Sequence, residues 1–236
     1  MYRPRIGHRS GGRTITSRSE FLAAIDAGDA GRVAELLAAE PGLASTRGDD
    51  GVSALLRARY RFERTIVDVL LAADPDMDVF DAAALGHQDR LRHRLEEDPG
   101  RAFALAGDGF TALHLAAFFG KAEAARILLD AGASVDTYGQ NPLANQPLHA
   151  AAAGRHIEVC RLLLAAGADV NATQHGGYSP LHEAAQSGDA EMIELFLSAS
   201  ADPAMTDDEG RTPAHLAEAA GHPDVAARIR EVAAER

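Results

Sequence analysis

Residues 177–185 read GYSPLHEAA, and closely related strings recur through the second half of the chain. The others are GFTALHLAA at 109–117, QPLHAAA at 146–152 and GRTPAHLA at 210–217. Their histidines are spaced by 35, 33 and 33 residues and are His114, His149, His182 and His215. A string that returns at a nearly fixed interval of this size indicates an array of stacked structural repeats.

Each string contains the residues that begin and end a short helix. A hydroxyl side chain can cap the first turn by accepting a bond from a helix amide, which suits Thr111, Ser179 and Thr212. Proline fits the first helical position, which predicts helix starts at Pro147, Pro180 and Pro213. Glycine in a left-handed conformation ends the helix, as expected at Gly120, Gly188 and Gly221. A second apolar string and a turn follow, such as LLL at 162–164 and GADVN at 167–171.

These residues resemble the ankyrin-repeat family, whose pattern is Gly-x-Thr-Pro-Leu-His-x-Ala-Ala, then Gly, Leu-Leu and Gly-Ala-Asp. The resemblance implies an all-α solenoid of stacked helix-turn-helix units with extended β-turn fingers. It also implies that the four histidines are structural and satisfy backbone groups of the adjacent turn. One such unit is too small to bury its own apolar face, so it must stack on its neighbours.

The spacing of the first-helix glycine positions predicts seven repeats, of which the first three are degenerate. We place them at about 20–47, 48–77, 78–106, 107–139, 140–172, 173–205 and 206–236, so that residues 20–236 form the repeat domain. Repeat 3 follows repeat 2 after only 24 residues, which predicts that it has lost its lead-in finger. Residues 1–19 contain five arginines and no acidic residue, and we interpret them as a basic, disordered tail.

Several positions depart from the pattern. Phe62 and Arg155 replace the first-helix glycine, and Asp74 and Ser200 replace the second, so each must adopt a left-handed conformation or the turn must differ. Arg57 and Arg59 stand where other repeats have apolar residues, so either the register of repeat 2 slips or its first helix is partly exposed. The segment 138–146 is two residues longer than its counterparts, which predicts an irregular finger.

The composition favours a helical protein that avoids nucleic acid and membranes. Hydrophobic residues make up 46% of the chain, there is no Trp, and aromatic residues are 5%. The net charge of −12 disfavours binding to DNA or to anionic lipid. No apolar run approaches the length that spans a bilayer, and no apolar secretory segment opens the chain. We therefore expect a cytoplasmic protein and a monomer.

No recognised catalytic or metal-binding motif is found in the sequence. It lacks the zinc-protease, nucleophile-elbow, phosphate-loop and dinucleotide-binding signatures. The single cysteine, Cys160, lies in an apolar helical string, where a buried packing role is favoured over a nucleophile. We therefore predict no enzyme activity, no metal and no cofactor.

The resemblance implies that a partner protein docks on the concave face, formed by the finger tips and the exposed side of each first helix. Mapped onto this chain, the candidate contact residues are Tyr60, Arg61, Phe110, Phe118, Phe119, His175, Tyr178, Gln186, Ser187, Asp208, Glu209 and Arg211. Five of the chain's twelve Phe and Tyr residues fall in this set, and aromatic side chains commonly anchor interfaces. Phe118 and Phe119 could alternatively fold back and pack between repeats.

A cluster of four arginines, at positions 57, 59, 61 and 64, offers a second candidate site. Residues 57, 61 and 64 would share one face of a continuous helix, so this cluster could bind an acidic peptide or be a solvated surface. The function that the sequence favours is a scaffold for protein–protein interaction. The alternative is a dedicated regulatory, inhibitory or chaperone-like subunit of one enzyme.

Overall fold

The structure is a computed structural model that describes residues 11–235. Within that range, fourteen α-helices follow one another as seven pairs, and a tight turn joins the two helices of each pair. In chain order the pairs are α1 (Gly11–Asp26) with α2 (Ala30–Ala39), α3 (Ala54–Tyr60) with α4 (Arg64–Ala72), α5 (Val79–Leu85) with α6 (Gln88–Glu97), α7 (Ala112–Phe118) with α8 (Ala122–Asp130), α9 (Pro147–Ala153) with α10 (Ile157–Ala165), α11 (Pro180–Ser187) with α12 (Ala190–Ser198), and α13 (Pro213–Ala219) with α14 (Pro223–Ala234). The predicted all-α repeat solenoid is confirmed.

The predicted basic tail lies only partly within the described chain. Residues 1–10 are outside the described residues, and residues 11–19 belong to α1. The chain divides into two compact bodies, one ending at Met77 and the other beginning at Asp78. This division coincides with the predicted boundary between repeats 2 and 3, where six residues connect α4 to α5.

The C-terminal body (residues 78–236) consists of two layers of helices. Within each layer, helices of successive repeats contact one another in chain order. The first helices are α5, α7, α9, α11 and α13, and the second helices are α6, α8, α10, α12 and α14. Alanines such as Ala116, Ala151 and Ala185 are fully buried between the first helices. Their small side chains allow close approach, while larger groups such as Leu128, Leu163 and Phe196 fill the space between the layers.

In repeats 4 to 6, a histidine joins the first helix to the finger that follows it. In repeat 4, Nδ1 of His114 lies 2.7 Å from the Thr111 hydroxyl and accepts the Thr111 backbone N–H, while Nε2 lies 2.9 Å from the Asn145 carbonyl. His149 makes the equivalent bond to the Ala172 carbonyl at 3.0 Å, and His182 to the Arg211 carbonyl at 3.2 Å. Since Nδ1 faces an N–H and Nε2 faces a carbonyl, the ring is neutral with its proton on Nε2.

The predicted helix caps are confirmed in the C-terminal body. Thr111 accepts the N–H of His114, and Thr212 accepts that of His215. Pro147, Pro180 and Pro213 each open their helix. Gly120 has φ +68, and a side chain there would collide with the His156 ring of the next repeat, 2.4 Å away. Glycine at this position therefore serves both the turn and the contact between repeats.

The replacements of glycine take the left-handed conformation, which is the first of the two alternatives that the sequence left open. Positive φ angles are found at Phe62 (59°), Asp74 (46°), Arg155 (60°) and Ser200 (70°). The turn geometry is thus kept although glycine is absent. Each of these residues costs roughly 1 kcal/mol of conformational free energy in the left-handed region.

The finger at 138–146 is irregular, as expected. Ala144 has a φ of 43°, and the Gly139 N–H donates to the Asn145 carbonyl at 2.8 Å. Gln146 occupies the cap position that Thr or Ser fills elsewhere, and its Nε2 donates to the Asp136 carbonyl at 3.1 Å. The side-chain oxygens of Asn145 and Gln146 are buried without a hydrogen-bond partner.

The N-terminal body (residues up to Met77) repeats the paired arrangement in α1 to α4. Ser53 accepts the N–H of Leu56 and caps α3, so the register of repeat 2 is the one the sequence indicated. The prediction that Arg57, Arg61 and Arg64 share one helical face is wrong. The reason is that α3 ends at Tyr60 and α4 begins at Arg64, so the residues straddle a turn.

The buried histidines predict a loss of stability in mild acid. Burial lowers the pKa of both His114 and His149 to about 4 from 6.5, so the unfolded chain binds a proton before the folded chain does. The contribution of the two neutral histidines to the free energy of unfolding is complete above about pH 6.5 and is lost as pH falls toward 4. By about pH 5, each histidine should lower the free energy of unfolding by about 2 kcal/mol. Urea denaturation across this range measures the loss.

The control for this experiment is His149→Gln, which removes one titrating ring. Its unfolding free energy should depend less steeply on pH than that of the parent chain between about pH 6.5 and about pH 5. Identical pH dependence in the two proteins would show that the His149 ring is not held neutral by the fold.

A reciprocal exchange at equivalent turns tests the left-handed positions. Ser200→Gly should raise the free energy of unfolding by up to about 1 kcal/mol, because Ser200 is exposed and has φ 70°. Gly167→Ser should lower it by a similar amount, since Gly167 has φ 94° and no atom within 4 Å of an added Cβ. Chemical denaturation measures both, and changes of the same sign would rule out backbone conformation as the cause.

Candidate partner-binding face

The fingers and first helices of repeats 4 to 7 form one side of the C-terminal body, which we call the finger face. We define it as residues 104–118, 131–153, 166–187 and 199–219. Backbone hydrogen bonds join neighbouring fingers near their tips. The Gln140 N–H donates to the Gly109 carbonyl at 2.8 Å, the His175 N–H to the Leu143 carbonyl at 2.9 Å, and the Asp208 N–H to the Gly176 carbonyl at 2.9 Å. The tips therefore form a continuous, ordered row.

Phe118 and Phe119, whose placement the sequence left open, have different environments. Phe119 is buried, with 5% of its surface exposed, because it caps α7 and turns into the core. Its assignment as a contact residue is therefore wrong. Phe118 is half-buried, packs against the core and meets Phe119 edge-on, with 5.0 Å between ring centroids. Phe118 alone keeps a surface that a partner could touch.

Phe110 and Tyr178 occupy equivalent places in repeats 4 and 6, immediately before the helix cap. Each ring lies against the histidine of its own repeat, with centroid distances of 5.5 Å for Phe110 to His114 and 5.7 Å for Tyr178 to His182. Both are half-buried. They are fixed by these contacts and still present part of the ring at the surface, which suits an interface anchor.

Arg211 is held by acidic residues of its own finger and by Tyr178 of the preceding finger. Its guanidinium contacts the buried Asp207 carboxylate at 2.8 Å, the Tyr178 hydroxyl at 2.8 Å and Glu209 at 3.0 Å. Burial alone would raise the pKa of Asp207, but hydrogen bonds from the Arg211 backbone and side chain hold it below its usual value. Arg211 and Glu209 thus stabilise the finger and orient Tyr178, while Asp208 remains exposed beside them.

The remaining candidates lie at the surface of their elements. His175 and Gln186 are exposed, and Ser187 is half-buried with its hydroxyl donating to the Ala184 carbonyl at 3.0 Å. In the N-terminal body, Tyr60 is half-buried and Arg61 is exposed. Tyr60 and Arg61 belong to the N-terminal body and the finger face belongs to the C-terminal body, so each body carries a separate candidate surface.

The arginine cluster is largely engaged within the N-terminal body. Arg57 pairs with Asp26 at 3.2 Å and with Asp50, and Arg61 lies 3.8 Å from Asp26. Burial and the neighbouring Arg64 lower the pKa of Arg59. These pairs favour an internal role for Arg57 over recognition of an acidic peptide.

Three surface residues of the finger face were missed by the sequence reasoning. Tyr138 and Leu143 are 47% and 53% exposed and lie in the irregular finger, whose extra length was the available signal. Glu183 is half-buried on α11, where the equivalent residues Leu115, Ala150 and Leu216 are buried. A carboxylate in an otherwise apolar column was a signal that comparison of the repeats could have found.

Among the described residues, no group of three or more His, Cys, Asp or Glu side chains is placed to hold a metal ion. Cys160 is buried, and burial raises the pKa of its thiol to about 12, so it is a packing residue. No helix among the described residues has the length and apolar character needed to cross a membrane.

Comparison with known proteins agrees with this geometry. No curated protein matches the chain in sequence. The family model described as ankyrin repeats (3 copies) matches residues 79–174 and again residues 148–234, which together cover most of the C-terminal body. The chain belongs to the ankyrin-repeat family, whose repeats generally mediate protein–protein interaction.

Proposed function

We propose that this protein is a non-enzymatic scaffold that binds a partner protein through the finger face of repeats 4 to 7. The observation that carries the proposal is the row of partly exposed aromatic and apolar side chains held on a rigid frame. Its members are Phe110, Phe118, Tyr138, Leu143 and Tyr178. Aromatic groups that are already fixed lose little conformational entropy on binding, so they make efficient anchors.

The rigidity of the frame supports the same proposal. The fingers are joined to one another by backbone hydrogen bonds and to the first helices by the histidine bridges. A partner would therefore meet a surface whose shape is set before binding. The eight helices of repeats 4 to 7, α7 to α14, supply a platform and leave the side chains of the finger face free to define specificity.

The test is affinity capture from the native host with a double substitution, Phe118→Ala and Tyr178→Ala. We expect captured partners to be lost, because truncation of central aromatic anchors typically costs at least about 2 kcal/mol of binding free energy. Mass spectrometry identifies what the parent chain retains. Circular dichroism and thermal unfolding verify that the variant is folded, since Phe118 also packs against the core.

The matched control is Phe103→Ala, which removes an aromatic ring that is 59% exposed and lies outside the finger face. It should retain every partner. Retention of all partners by the folded double variant would contradict the assignment of the face. Capture of one enzyme in a fixed ratio, with a change in its activity, would identify the scaffold as a dedicated regulatory subunit.

A further inference from the structure

The charges of repeats 4 to 7 are divided unevenly between the two sides of the body. The finger face contains nine Asp and Glu residues and one Arg. The remaining residues from 119 to 235, which are the second helices with their preceding turns, contain nine acidic residues and six Lys and Arg. The finger face is therefore the acidic side, and it is also the side that carries the exposed aromatic groups.

Ion pairs bring opposite charges of the second-helix side together. Arg161 reaches Glu191 at 3.3 Å, and Arg228 reaches Glu194 at 2.6 Å, so arginines of successive second helices neutralise their neighbours' carboxylates. On the finger face the single arginine, Arg211, is already committed to Asp207 and Glu209. Glu218 pairs with Arg230 of α14. The other carboxylates of that face include Asp136, Asp169, Asp202 and Asp208, all of which are exposed.

Glu183 is the most unusual of these carboxylates because of where it lies. It is half-buried on α11, where its carboxylate accepts a hydrogen bond from a neutral amide, Nε2 of Gln174, at 2.6 Å. Burial raises the pKa of Glu183, and no cation within the described residues offsets this. A carboxylate held in a partly desolvated site gains more from an incoming cation than an exposed one does.

We propose that the finger face binds a segment of a partner protein that carries arginine or lysine next to an apolar side chain, with Glu183 receiving the cation. This proposal rests on the proposed scaffold function and names the chemistry of its partner. The apolar side chain packs among Phe118, Leu143 and Tyr178. The surrounding carboxylates attract the basic segment and set its preference over a neutral one.

The experiment uses fluorescence anisotropy of the full chain with two pools of labelled dodecapeptides. Both pools have the same degenerate apolar positions, and they differ at two fixed positions that hold Arg in one pool and Gln in the other. We expect the Arg pool to bind at least about tenfold more tightly at low salt. The ratio should shrink as NaCl is raised from about 50 mM to about 300 mM.

Two substitutions locate the effect. Glu183→Gln keeps the side-chain volume and should reduce the preference for Arg several-fold, with little change in binding of the Gln pool. Glu158→Gln removes an exposed carboxylate of the second helix α10 and should leave both affinities unchanged. A labelled peptide of residues 1–13, which contains four arginines, is the third probe.

Each other outcome overturns the inference in a distinct way. Equal binding of the two pools, or equal effects of the two substitutions, would show that charge does not select the partner. Preferential binding of the 1–13 peptide over the Arg pool would replace the partner with the chain's own N-terminal segment. A third result is that captured partners are lost in the Phe118 and Tyr178 double variant but kept by Glu183→Gln. That result would support the scaffold function and contradict the proposal that the partner segment is basic.

Discussion

The stacking of repeats 4 to 7 depends on a neutral imidazole that is bonded on both of its nitrogens. His114, His149 and His182 each accept a backbone N–H at the start of their own helix and donate to a carbonyl of the finger beyond it. The ring satisfies an orphan amide that every helix start leaves, and it fixes the finger relative to the helix. Because the ring is buried, it does this only while uncharged. Stacking of repeats and placement of the fingers are therefore controlled by the same group.

Much of this arrangement could be predicted from the sequence because the responsible residues are local. A hydroxyl or proline at a helix start and a glycine at its end act within one turn, so Thr111, Pro180 and Gly120 could be read directly. The replacements of glycine could be interpreted in the same way, because a turn imposed by both flanking helices forces Arg155 and Ser200 into the left-handed region. The candidate surface was less predictable. Phe118 and Phe119 are adjacent, and which of them turns inward is decided by packing across repeats.

The same limit explains the errors at Arg57 and Glu183. A run of arginines resembles a helical face until the turn between α3 and α4 separates its members and Asp26 and Asp50 bind Arg57. Glu183 was overlooked for the opposite reason, because a single acid in a consensus string has no local signature. Its significance arises only when Leu115, Ala150 and Leu216 are seen to be buried at the same place. The fold is thus determined by what the repeats share, whereas the features of the candidate surface lie in the differences between them.

The histidine bridges also give the array a direction. Each bridge takes its acceptor from a residue further along the chain. His215 is exposed, its Nδ1 accepts the Thr212 N–H, and no finger follows α14 among the described residues. Fraying that begins at the last finger would strip the acceptor from His182 and leave a buried donor unsatisfied. Fraying that begins at α5 removes no acceptor from the rings that remain. The two ends of the C-terminal body are consequently not equivalent. Unfolding that proceeds one repeat at a time should cost a different free energy from each end.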